Sequence, residues 1–139
     1  MPSEKLFAEL VPSEIRDGHY IKYPSGVVKN SKTGLEWYVG PDKNTTWDDA
    51  KWWVKNLKVS GGGWHMPQIN ELKGLYQEGV GSRNMTKLLN TTGVWVWSGE
   101  IKGSLTVWNF NFSLRPGFED LSTRSNDLNS RAFAVRSRR

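Results

Sequence analysis

A chain of 139 residues fits one domain, which at that size buries about two thirds of the surface its unfolded chain exposes. Cysteine is absent, which excludes a disulfide framework, a thiolate nucleophile and a cysteine-ligated metal, and no apolar run approaches the ~20 residues of a membrane span. Of a net charge of +5, most lies in residues 101 to 139, where seven basic residues face three acidic ones, a bias that favours anionic partners, acidic polysaccharide as readily as nucleic acid.

Eight tryptophans, five phenylalanines and four tyrosines concentrate the expected core in rings, each able to bury ~150–250 Å². Residues 1–15, with Pro2, Pro12 and scattered charge, read as an N-terminal arm or linker, and residues 16–139 as a single domain. The start lacks the apolar run of a secretory signal, so an exported form would carry a leader that this sequence does not include.

Val27 and Val28 precede Asn30-Ser31-Lys32-Thr33-Gly34, after which Leu35, Trp37 and Val39 alternate with Glu36 and Tyr38. The pattern predicts two short strands joined by a turn closed on glycine. The period then changes. Thr46 is a helix cap, Asp48 and Asp49 suit the positive first turn, and Trp47, Ala50, Trp53, Val54 and Leu57 form a helical stripe, predicting a helix over 46–58. Trp52 lies off that stripe and is the best exception among tryptophans that otherwise belong to the core.

Glycines 61 to 63 end that segment, and Trp64-His65-Met66-Pro67 leads into a second helix over 67–77, whose stripe is Ile69, Leu72, Leu75 and Tyr76. Residues 78–93 read as loop with one helical turn at Met85 to Leu89. Val94-Trp95-Val96-Trp97 is apolar on both faces, as in a central strand covered on both sides. In the next strand Trp108, Phe110, Phe112 and Leu114 point to the core, while Asn109, Asn111 and Ser113 point to solvent. Arg115-Pro116-Gly117 breaks it, 117–130 reads as a polar loop, and Phe133 and Val135 mark a final strand paired inside the sheet.

No constellation points to catalysis. His19 and His65 have no second histidine at ligand spacing, so no metal site is expected. The serines lack a nucleophile elbow, so no catalytic residues are assigned. Glu100, Glu119, Asp120, Asn126 and Asp127 are the oxygen ligands available for calcium, and they read as solvated loop positions. The wet strand face of Asn109, Asn111 and Ser113, continued by Arg115 and joined by Arg124, is the expected ligand-binding surface: amides and guanidinium groups make directional bonds to hydroxyls, sulfates and carboxylates.

The segments Asp17-Gly18-His19-Tyr20 through Gly26-Val27-Val28, Thr33-Gly34-Leu35-Glu36-Trp37, Thr46-Trp47-Asp48-Asp49-Ala50, Gly63-Trp64-His65-Met66-Pro67 with Asn70-Glu71-Leu72, Val96-Trp97-Ser98 and Phe133-Ala134-Val135-Arg136 come in an order that resembles the bacterial Lcl C-terminal domain family. The family typically has Arg-Leu-Pro where His65-Met66-Pro67 stand, and Ser or Thr at Gln68, a poorer cap. The resemblance implies an α+β, C-type lectin-like fold, two helices packed on small antiparallel sheets. It also implies a non-enzymatic binding or adhesion module of a bacterial periplasmic, cell-surface or secreted protein, without cofactor. The expected partner is a glycan or protein ligand, anionic in character, and not nucleic acid; a structural or assembly module in a larger envelope or pilus complex is the alternative. Fold kinship alone names no ligand.

Overall fold

The structure, a computed structural model, describes residues 14–137. Most of the expected N-terminal arm lies outside the described residues, and Ile15, its last member, already opens the first strand. The strands are β1 (Ile15–Asp17), β2 (Tyr20–Lys22), β3 (Val28–Asn30), β4 (Leu35–Val39), β5 (Trp95–Lys102), β6 (Thr106–Asn111), β7 (Phe118–Thr123), β8 (Ser130–Arg131) and β9 (Phe133–Ser137); the helices are α1 (Trp47–Asn56) and α2 (Ile69–Leu75). The class is α+β, with two helices and two sheets.

The first sheet has the order β1-β2-β3-β4-β9 and is antiparallel throughout. The turn expected at Asn30 to Gly34 joins β3 to β4, with the Asn30 side chain accepting from the backbone N–H of Lys32 at 2.9 Å. Beyond β9 the chain at His65 adds a further pair of bonds, His65 N–H to Val135 O at 3.0 Å and Val135 N–H to His65 O at 3.1 Å. The last strand is therefore flanked on both sides, by β4 and by the stretch that leads into α2. That stretch delivers Trp64 to the core and carries Met66 against it.

The second sheet has the order β7-β6-β5-β8, and its β5–β8 pair is parallel, a departure from the all-antiparallel expectation. β5 is interrupted by a register shift between Trp97 and Ile101. There Gly99 N–H reaches Pro67 O at 2.8 Å, and Glu100 accepts from Ile69 N–H at 2.5 Å. The start of α2 is thus fixed both from outside and from within: Glu100 takes its first N–H, and Glu71 of the helix turns back to accept from Gln68 N–H at 2.8 Å. This compensates for a glutamine at the cap.

Both faces of the β5–β6 pair are covered, by α2 on one side and by α1 on the other. Phe110, Val96 and Leu72 belong to the cluster that includes α2, whereas Trp97 and Val107 pack with Trp47 and Ala50 of α1. Three expectations change here. No helical turn forms at Met85 to Leu89, although Met85, Leu88 and Leu89 are buried in turns. The supposed polar loop 117–130 contains β7, an exposed edge strand paired along its length with β6. Leu114 is exposed because the strand ends at Asn111, and Trp108, within the strand, is only partly buried. Among the described residues no helix is long and apolar enough to cross a membrane.

Candidate ligand-binding groove beside the first helix

Helix α1 forms where sequence places it. Thr46 Oγ1 accepts from Asp49 N–H at 3.2 Å, Asp48 and Asp49 lie in the first turn, and Trp47, Ala50 and Val54 bury one face. Adjacent residues on a helix project about 100° apart. With Trp53 turned inward, stacked on Tyr38 at 6.2 Å between ring centroids, Trp52 must face outward. It is 67% exposed, an unusual state for so large an apolar ring.

Trp52 forms one wall of a cavity of about 260 Å³. Trp53, Ala132 and Pro41 make its apolar floor, and Lys43, Asn44 and Asp49 supply its polar groups. The floor is tight: a side-chain carbon added at Gly40 would lie 2.6 Å from the backbone oxygen of Ala132. The polar wall is held by a buried arginine. Arg131 Nε donates to Asp42 at 2.8 Å, and Arg131 Nη1 donates to Asn44 Oδ1 at 3.2 Å. Asn44 Oδ1 also accepts from Asn129 N–H at 3.1 Å, and Thr45 N–H donates to Ser130 O at 3.0 Å. The hydrogen bond from Arg131, reinforced by Thr92, holds the Asp42 carboxyl at about 2, below its ordinary 3.8. Among the described residues no bond engages the Asn44 amide nitrogen, the Lys43 ammonium or the Asp49 carboxylate.

The residues expected to form a strand-face site are placed differently. Asn109 and Asn111 are only 3% and 4% exposed: α1 packs on the same face at Val107, and Asn111 sits between Trp95 and Phe118 in the sheet. Asn109 pairs in register with fully buried Trp97, and its Oδ1 has no hydrogen-bond partner among the described residues. Asn111 Oδ1 accepts from the backbone N–H groups of Ser113 at 2.8 Å and Leu114 at 3.2 Å, closing the turn that ends β6. Ser113 donates its hydroxyl to the same oxygen at 3.0 Å. Arg115 donates to Asn84 at 3.1 Å. Arg124 lies at the opposite end of β7, paired with Asp48, donating to Ser104 O at 3.1 Å and stacked over Trp47 at 4.6 Å. The five residues do not converge on one patch.

Of the acids considered for calcium, Glu100 and Glu119 line one depression together with Lys73 and Trp108, and each is already engaged. Glu100 serves α2, Glu119 pairs with Lys73 at 2.7 Å, and Asp120 accepts from Leu121 N–H at 2.8 Å. Among the described residues no group of three or more His, Asp or Glu side chains could hold a metal ion. A second, more open depression of about 350 Å³ lies between α1 and β5, with His65, Lys51 and Glu100 on its walls. His65 is exposed, its Nδ1 within 2.9 Å of Met66 O.

The Trp52 groove is the feature that strand-based reading missed. Its signal was present in the Trp52-Trp53 pair, since a helix with one buried stripe cannot bury both. The polar wall had no comparable signal, because it depends on contacts from Asn129 and Arg131, far along the chain.

Comparison with known proteins gives one family: the model of the Lcl C-terminal domain matches residues 26–136. No curated protein matches the chain. No solved structure matches it either.

Proposed function

The chain belongs to the Lcl C-terminal domain family, and from that premise and the geometry at Trp52 we propose that it is a non-enzymatic binding module of an exported or surface protein, with a glycan held in the Trp52 groove. The observation that carries this reading is a tryptophan two-thirds exposed on the wall of a cavity with unengaged donors and an acceptor beside it. An aromatic face stacks on the C–H face of a sugar ring, and a few placed polar groups fix orientation. Within the same proposal the α+β frame is of the C-type lectin-like kind; the return of β9 beside β4 and the two helices are what favour it.

The anionic character expected from net charge is not carried into the proposal. Arg124, Arg131 and Arg136 are engaged by Asp48, Asp42 and Glu36, and the last two arginines are buried. Three of the seven basic residues of the last third therefore fasten the fold. A docking role in a larger assembly is the second reading, favoured by Ile101 and Leu105, 53% and 68% exposed around the β5–β6 turn.

A glycan array probed with the wild-type domain and with Trp52→Ala tests the first reading. The expected result is binding to a restricted set of glycans with at least a tenfold loss in the variant, as for an aromatic anchor. Retained binding in Trp52→Ala would remove the groove from the account.

A further inference from the structure

Building on the assignment of the Trp52 groove to a glycan, we propose that its ligand is a neutral sugar held through two adjacent hydroxyl groups, without calcium. The groove carries one carboxylate, Asp49, and one ammonium, Lys43, so it has no excess positive charge with which to hold a sulfate or uronate. Asn44 adds directionality. Its carbonyl end already accepts from Asn129 N–H and Arg131 Nη1, which fixes the amide and leaves only N–H donors for a ligand. Beside the ring, then, stand one charged acceptor and two sets of donors.

A hydroxyl both donates and accepts. Adjacent hydroxyls can donate to Asp49 and accept from Asn44 and Lys43, so that both halves of the hydroxyl's hydrogen-bonding capacity are used. A sulfate ester only accepts, and it brings negative charge towards Asp49. Calcium requires six to eight oxygen ligands, whereas this groove offers a single carboxylate. The cavity, about 260 Å³, lies just below the ~300–1,000 Å³ usual for drug-sized ligands, which suits one or two sugar rings above Trp52 rather than a long buried segment.

The test uses the full chain in EDTA at physiological ionic strength, titrated with neutral trisaccharides of mannose, glucose and galactose and with their sulfated counterparts. Wild type is compared with Trp52→Ala and Asp49→Asn; circular dichroism establishes that both variants fold, as expected for exposed helix positions. The proposal expects a neutral trisaccharide to bind, with at least a tenfold loss in each variant and weaker binding of the sulfated form. Binding of sulfated sugars alone, lost in Trp52→Ala and unchanged or improved in Asp49→Asn, would overturn the neutral-sugar inference while leaving a glycan groove. Binding that appears only when calcium replaces EDTA would also overturn it. Absence of binding by every sugar would overturn the inference and the glycan reading together.

Discussion

Trp52 and Trp53 are neighbours in sequence about 100° apart on the helix, one exposed and one turned inward, and the difference separates the wall of a candidate site from the scaffold beneath it. The arginines divide similarly. Arg136 looks like surface charge in a basic C-terminal stretch, yet its guanidinium lies 4.1 Å from the Trp64 ring, bonds Glu36 at 2.8 Å and donates to Ser60 O at 3.0 Å and to Gly62 O. Removing it strands a largely buried carboxylate. Arg136→Ala should therefore cost about 3–5 kcal/mol in urea unfolding. Arg136→Lys should recover only part of that, since an ammonium cannot supply the planar, stacked fork. Loss below about 1 kcal/mol in the alanine variant would mean that the pair is solvated after all. Asn109 and Asn111 show the limit of reading one strand alone: alternation gives their phase correctly, but only the packing of α1 and of the neighbouring strands decides that their face is buried.

At the scale of elements, legibility follows how local the causes are. α1 was readable because its cap, first-turn acids and apolar stripe all lie within it, and the observed Trp47–Asn56 falls inside the predicted span. α2 is shorter than predicted, Ile69–Leu75, and part of its N-terminal support comes from Glu100 on β5. β7 was not readable at all. Phe-Glu-Asp-Leu-Ser-Thr carries little apolar pattern, and its strand form comes from pairing with β6. As an edge it needs protection, and Asp120 supplies some by accepting from Leu121 N–H. Asp120→Ala should leave that donor free beside the exposed Phe118 and Leu121 and increase concentration-dependent self-association in light scattering. Unchanged scattering would show that the carboxylate does not guard the edge.

For the whole molecule, four ion pairs among the described residues fasten segments distant in sequence: Glu36 to Arg136, Asp42 to Arg131, Asp48 to Arg124 and Lys73 to Glu119. Hydrogen bonding to arginine lowers the carboxyl pKa of both Asp42 and Asp48. A depressed folded-state pKa stabilises the fold above the unfolded-state value, and that stabilisation disappears as pH falls through the folded-state value. For Asp42 the contribution is complete above 3.8 and lost towards about 2. The urea midpoint should accordingly fall between about pH 5 and pH 2, and Asp42→Asn should be less stable near neutrality with a shallower acid dependence. An identical acid slope in the variant would contradict that assignment. The same pairing shows that a count of basic residues does not distinguish a free guanidinium from one fastening two segments.

The most direct measurement of the central claim is a backbone and indole N–H NMR titration with a trisaccharide that the domain binds. The account predicts perturbations concentrated at Lys43, Asn44, Asp49 and the Trp52 indole, with Ser113 and Arg115 unmoved. Perturbations centred on Ser113, Arg115 and Arg124, with the Trp52 indole unchanged, would contradict it.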